Sequence, residues 1–190
     1  MELDVASREQ IDSRSDDELI ASLNAGDASA FDALYFRYRD WVVNLAFRFT
    51  SDREISLDVL QETFLYLLKK FPGFRLTAQM KTFLYPAVRN LSIAARRKNQ
   101  RYQSSEEELQ KIDNSPVVEV SFGESDQLAA VVANLSEKHR EVLLLRFVDG
   151  LSLGEISEVL EIPLGTVKSR LHNALATLRA DPRTKDFFEQ

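Results

Sequence analysis

Phe31, Leu34, Tyr35, Tyr38, Val42, Leu45 and Phe49 recur on a spacing of three and four residues. An α-helix advances about 100° per residue, so this spacing gathers all seven on one face. A stripe that long must be buried, and what buries it must carry stripes of its own. The chain supplies them. Val59, Leu60, Thr63, Phe64, Leu67 and Leu68 mark a segment running to about Lys70, and Leu84, Val88, Leu91 and Ala95 mark the next. Only 6 Gly and 5 Pro occur in 190 residues, a poor supply of tight turns for strands. The expected fold class is all-α.

The punctuation is equally legible. A short helix near Asp17 to Leu23 is stopped by Asn24 and Gly26, and Asp27 caps the long striped helix. Thr50, Ser51 and Asp52 end it; Phe71, Pro72 and Gly73 end the third helix, and a loop follows from Phe74 to about Gln79. In the fourth helix Pro86 lacks an amide proton, so the helix either starts close to Tyr85 or kinks at the proline. Its polar side holds Arg89, Asn90, Arg96 and Arg97. From Ser104 the composition turns acidic, with Glu106, Glu107, Glu108, Asp113, Glu119, Glu124 and Asp126 against one Lys111. This reads as a flexible linker over 104–126 between two small helical domains, 16–103 and 127–182. Residues 1–15 read as a disordered N-terminus and 183–190 as a tail.

Several chemistries are disfavoured. Cysteine is absent, which removes disulfides and thiolate metal sites, and His139 and His172 lie far apart. No metal or cofactor is expected, and no small-molecule substrate. The paired acids Asp16 and Asp17, or Glu106 to Glu108, lie in polar segments without a Gly-rich phosphate loop, so no enzyme is indicated. Met1 to Asp17 has no apolar run suited to export, and nothing approaches a membrane span. A cytoplasmic protein without membrane insertion is expected.

Charge points elsewhere. From Thr63 to Ser105 there is no acid, yet Lys69, Lys70, Arg75, Lys81, Arg89, Arg96, Arg97, Lys98 and Arg101 fall there, in a chain of net charge -6. A local positive field attracts phosphate whatever the overall sign. Phe71, Phe74, Phe83 and Tyr85 are interleaved, flat groups suited to stacking on unpaired bases. A basic solvated face with core aromatics reads equally well from composition alone.

The C-terminal third is more specific. Leu128–Leu135 and Glu137–Val148 read as helices, the second burying Val142, Leu143, Leu145 and Phe147, with Asp149 and Gly150 forming the turn out. Ser152 with Glu155 is a capping box opening a helix that buries Ile156, Val159 and Leu160. After a break at Glu161, Ile162 and Pro163, a helix from about Leu164 gathers Val167, Leu171, Ala174, Leu175 and Leu178 on one side. Ser169 and Asn173 lie opposite, flanked by Thr166 and His172, with Lys168 and Arg170 at the shoulders. This is a helix-turn-helix whose outward face is free of acids, suited to a major groove; an ordinary polar face is the alternative.

Taken together these motifs resemble a bacterial RNA polymerase sigma factor of the small, two-domain extracytoplasmic-function class. In the second domain the resemblance rests on Leu135-Ser136, Arg140-Glu141-Val142-Leu143, Gly150-Leu151-Ser152, Glu155-Ile156 and the run from Pro163 to Leu171. In the first it rests on Asp58 to Phe64, and on Phe83-Leu84-Tyr85 with Arg89-Asn90. It implies a subunit that binds core RNA polymerase, directs it to promoter DNA and assists opening, with an anti-sigma factor as a further partner. Asp58, Gln61, Glu62 and Phe64 then match the surface for the polymerase clamp helices. Asn90 matches a residue at the pocket for a flipped minus-ten base, and the loop from Phe74 to Lys81 surrounds that base. Phe74, Arg75, Lys81, Arg89, Arg96 and Arg97 join Asn90 on the minus-ten side. Thr166, Lys168, Ser169, Arg170, His172 and Asn173 fall on the helix that reads the minus-thirty-five element. Phe83, Pro86 and Asn173 depart from residues common in the family, which are Trp, Arg and Arg.

The charge inversion at Ser104 suggests that acidic flanks shield the basic stretch until polymerase parts the domains. In the second domain, Lys168→Ala is expected to weaken binding to all sequences and lower the salt slope by about one. Asn173→Ala is expected to cost about 1–3 kcal/mol at one base position, an adenine contact. A sequence logo unchanged by Asn173→Ala contradicts that assignment.

Overall fold

The computed structural model describes residues 12–103 and 126–184; among them are eight α-helices and no strand. The first module comprises α1 (Asp16–Asn24), α2 (Ala28–Thr50), α3 (Arg53–Leu68) and α4 (Met80–Gln103). The second comprises α5 (Asp126–Ala133), α6 (Glu137–Phe147), α7 (Leu153–Val159) and α8 (Leu164–Ala180). The expected acidic linker lies outside the described residues except for Asp126, which begins α5, and so do residues 1–11 and 185–190.

Local chemistry accounts for the helix starts. The Asp27 carboxylate accepts from the Ser29 amide, Asp52 accepts from Glu54 and Ile55, and Ser152 with Glu155 forms a reciprocal capping box. A second box, Ser15 with Glu18, opens α1. Arg14 pairs with Asp12 and Asp27, so Asp12 to Ser15 are held in place, a correction to the expected disorder over 1–15. α4 begins at Met80 rather than near Tyr85 and runs through Pro86, whose ring faces solvent.

Leu34, Val42, Leu45 and Phe49 of α2 are buried against Val59, Leu60, Phe64 and Leu67 of α3 and Leu84 and Val88 of α4. Two expectations are corrected: Leu68 lies on the exposed side of α3, and Phe147 is 61% exposed. The reason for the second is that Val142 to Leu145 are four consecutive buried residues, which wrap nearly all the way round α6. Val142 and Leu145 enter the core of the first module, together with Leu151, Ile156 and Val167. Leu143 and Leu144 face a smaller core with Val131, Val132, Leu135, Ala174 and Leu178. Phe147 is left at the open end.

One apolar core therefore crosses from one module to the other. Burying an aliphatic side chain is worth about 1.5–3 kcal/mol, so five from the second module make a firm junction before polar groups are counted. Those polar groups converge on the α6–α7 turn. The Asp149 carboxylate accepts from Arg48 NH2 at 2.6 and 2.7 Å and from Trp41 Nε1 at 2.8 Å, and the Asp149 carbonyl accepts from Lys81 Nζ at 2.7 Å. Thr82 Oγ1 donates to Glu155 at 3.2 Å. Asp149 is only 2% exposed, so the turn read from the sequence as the exit from this helix is an enclosed polar point of the junction. Gly150 permits the geometry with φ 78°, a value strained for other residues.

Nearby, Tyr85 donates to Glu141 Oε1 at 3.0 Å, and Arg89 Nε stands 3.9 Å from the same oxygen, an ion pair too long for a hydrogen bond. Burial pushes the Glu141 carboxyl up from its ordinary value, outweighing the Tyr85 hydrogen bond and the Arg89 and Arg170 charges that pull it down. A carboxyl raised in the folded state contributes stability that is full below the unfolded value of 4.5 and is lost as pH rises through the raised value. Glu141→Gln keeps an acceptor for Tyr85 and removes the titration. The urea midpoint of this variant is expected to exceed that of the parent by a margin that grows with pH and closes below pH 4.5. A margin that does not change with pH contradicts this.

Candidate nucleic-acid interface

The α7–α8 turn is built by Glu161, in the left-handed region at φ 52°, and by Ser157 Oγ donating to the Ile162 carbonyl at 2.6 Å. Pro163 then leads into α8, its carbonyl accepting from the amides of Thr166 and Val167. Val167, Ala174 and Leu178 are buried and Leu171 and Leu175 half-buried, the side assigned from periodicity. Lys168, Ser169, His172 and Asn173 are exposed, and Thr166 and Arg170 half-buried. Ser169 Oγ donates to the Thr166 carbonyl at 3.0 Å, so its proton is engaged and its lone pairs face outward. Asn173 presents a carboxamide with both donor and acceptor, the pattern that pairs with an adenine edge.

In the first module the loop after α3 is pinned from α1. Asn24 Oδ1 accepts from the Gly73 amide at 2.6 Å, and its Nδ2 donates to the Phe74 carbonyl at 2.8 Å. Phe74 packs on Phe71 and Phe83, with ring centroids 5.4 and 4.8 Å apart, and Phe83 stacks on Tyr66 at 6.0 Å. Three of the four interleaved aromatics are thus half-buried on one another. Tyr85 departs from the expectation: at 1% exposure, with its hydroxyl on Glu141, it has no face open for a base.

The basic residues divide. Arg75 and Arg97 lie exposed on the loop and α4, and so does the uncharged Asn90. Arg96 is 8% exposed and donates to the Phe49 carbonyl at 3.1 Å, closing the end of α2. Lys81 and Arg89 are drawn to Asp149 and Glu141 of the second module. On α3, Asp58, Gln61 and Glu62 are exposed beside the apolar Leu57 and Leu65, one continuous outward face. Phe64 lies behind it, edge-on to Phe31 and Tyr35 at 5.9 and 5.0 Å, so it sets the position of that face from within.

Sequence reasoning read Asn24 only as a helix stop, and did not single out Trp41, Arg48 or the buried role of Asp149. Arg48 offered a signal, an arginine three residues after Leu45 on the shoulder of the apolar stripe. Its partner lies 101 residues away, beyond the reach of periodicity. Among the described residues no cluster of side chains suits a metal ion, and no helix is long and apolar enough to cross a membrane.

Comparison with known proteins agrees with this geometry. The family model described as Sigma-70 region 2 matches residues 34–102, and that described as Sigma-70, region 4 matches residues 125–178. The ECF RNA polymerase sigma factor SigW of Bacillus subtilis (strain 168) is 29% identical over 177 residues, 86% of this chain and 95% of the relative. The ECF RNA polymerase sigma-E factor of Escherichia coli (strain K12) is 29% identical over 172 residues, 84% and 90% of the two chains. Among solved structures, the sigma factor RpoE in complex with the anti-sigma factor NepR from Bartonella quintana has a TM-score of 0.58 at 21% identity, covering 78% of this chain and 94% of that one. CnrH in complex with the cytosolic domain of CnrY has a TM-score of 0.59 at 22% identity, covering 87% and 96%. These two share the fold. With regions 2 and 4 matched in order over more than half of its length, and full-length relatives of one kind, the chain belongs to the sigma-70 family of RNA polymerase sigma factors, in its extracytoplasmic-function class.

Proposed function

We propose that this protein is a dissociable initiation subunit that binds core RNA polymerase, brings it to specific promoters and assists their opening. It performs no chemistry itself; polymerase does the catalysis, in the cytoplasm. The observation that carries the reading is that one chain presents two distinct outward faces, Asp58, Gln61 and Glu62 on α3, and Lys168, Ser169 and Asn173 on α8, inside the two matched regions. The first domain, residues 16–103, docks on polymerase through the α3 face and captures a minus-ten base at Asn90 and the loop from Phe74 to Lys81. The second, residues 127–182, sets its register on duplex phosphates through Lys168 and Arg170 and reads the minus-thirty-five element with Ser169 and Asn173. Base flipping costs a few kcal/mol, which contacts to both partners offset together. An anti-sigma factor is the fitting regulatory partner, as in the complexes of RpoE with NepR and CnrH with CnrY.

Core polymerase is expected to co-purify with the full chain and to be lost on combining Gln61→Ala with Glu62→Ala, both on exposed positions that leave the fold intact. Run-off transcription with purified core enzyme and a promoter library then reports the preferred sequence. The absence of any specific start site would mean that the fold is retained without promoter reading.

A further inference from the structure

The loop assigned to the minus-ten base lies between the end of α3 at Leu68 and the start of α4 at Met80. From Phe74 onward its side chains alternate. Phe74, Leu76 and Ala78 are half-buried, whereas Arg75, Thr77 and Gln79 are exposed, three polar groups available to a base edge. A group that selects a base must meet that edge at hydrogen-bonding distance and angle, so the backbone carrying it has to be held to within about 0.5 Å. A loop has no helical ladder of its own to hold it.

Among the described residues, every hydrogen bond from the stretch 72–78 to the rest of the chain comes from one side chain, that of Asn24. Its Oδ1 accepts from the Gly73 amide at 2.6 Å and its Nδ2 donates to the Phe74 carbonyl at 2.8 Å, across 49 and 50 positions. Gly73 takes φ 96°, a conformation open to glycine, and its amide and the next carbonyl both meet the one carboxamide. The rings of Phe71 and Phe83 set how deeply Phe74 sits but leave it free to slide; the two hydrogen bonds remove that freedom. The helix that carries Asn24 is itself a fixed point. Leu19 and Ile20 of α1 are buried, Arg37 pairs with Asp16 at 2.6 Å, Tyr38 donates to the same carboxylate, and Arg14 ties Ser22 to Asp27.

We propose that Asn24 is a positioning residue for base selection, clamping the loop from α1 so that Arg75, Thr77 and Gln79 stand in place before the flipped base arrives. The position requires a carboxamide, which alone offers one acceptor and one donor side by side. A carboxylate there keeps the bond from Gly73 but sets an anionic oxygen against the Phe74 carbonyl. Attraction of DNA is a separate matter, since Lys69, Lys70 and Arg75 are exposed whether or not the loop is held. The clamp therefore contributes selection and leaves the electrostatic pull unchanged. The selecting role rests on the functional reading above; the clamp itself rests on the two hydrogen bonds.

Holoenzyme assembled from purified core polymerase and the full chain, as parent, Asn24→Ala or Asn24→Asp, is run on a promoter library. In Asn24→Ala the discrimination at the minus-ten base is expected to fall about tenfold, the loss that follows when two net hydrogen bonds of preorganisation are removed. The minus-thirty-five preference is expected to stay as in the parent. Asn24→Asp is expected to lose minus-ten discrimination as well, and it decides the matter if circular dichroism shows that Asn24→Ala has lost helix. In the free chain the Gly73 amide is expected to exchange its proton slowly in the parent and fast in Asn24→Ala. Binding of Asn24→Ala to a single-stranded oligothymidylate, and its salt dependence, are expected to match the parent, because no cation has been removed. The proposal is overturned by folded variants that keep the parent's minus-ten preference, or by transcription that falls equally at every promoter with that preference intact. A Gly73 amide that exchanges freely in the parent, or weakened oligothymidylate binding in a folded Asn24→Ala, overturns it too. A parent holoenzyme with no specific start site refutes the functional reading and the selecting role with it, while exchange at Gly73 still decides the clamp.

Discussion

The ion pair between Arg48 and Asp149 joins residues 101 positions apart, with side chains 9% and 1% exposed. Removing two charges from water costs several kcal/mol per ion, and their attraction recovers this only when the remaining hydrogen-bonding capacity is filled. Here it is filled. Both carboxylate oxygens face Arg48, Trp41 Nε1 supplies a further donor, and Lys81 takes the adjacent carbonyl. Such a pair adds less stability than the apolar residues around it but is unforgiving of misplacement, since losing one partner strands a buried charge at about 3–5 kcal/mol. Its contribution is to register: the apolar surfaces of α6 and α7 could slide on α2 and α4, whereas one carboxylate held by Arg48 and Trp41, with its own carbonyl held by Lys81, can sit in only one place.

That register decides which surfaces face outward. α6 is enclosed by two cores, so α8, packed on it through Ala174 and Leu178, has one side left for Lys168, Ser169 and Asn173. α3 is packed on α2 through Val59, Phe64 and Leu67, leaving Asp58, Gln61 and Glu62 uncovered. α4 is shared. One side of it carries Asn90 to solvent, and another delivers Lys81, Thr82, Tyr85 and Arg89 to the second module.

Much of the fold was readable from residue order because the forces that set it are local. The stripe from Phe31 to Phe49, the caps at Asp27, Asp52 and Ser152, and the wheel of α8 each depend on neighbours within a few residues. The misreadings occur where a distant surface intervenes. Phe147 looked buried by period and is exposed because α6 ends there; Tyr85 looked like a stacking platform and is enclosed because Glu141 covers it.

For this protein, then, the sequence by itself determined eight helical segments, two modules, the outward residues of α8 and the family resemblance, since spacing, capping and motif are written in consecutive residues. The tertiary structure alone decided that the modules share a core, that Arg96 supports α2 from a buried site, and that Asp149 gathers Trp41, Arg48 and Lys81. Those outcomes arise from pairings 47 to 108 residues apart, where a carboxylate finds its cation only after the helices between them have folded and docked.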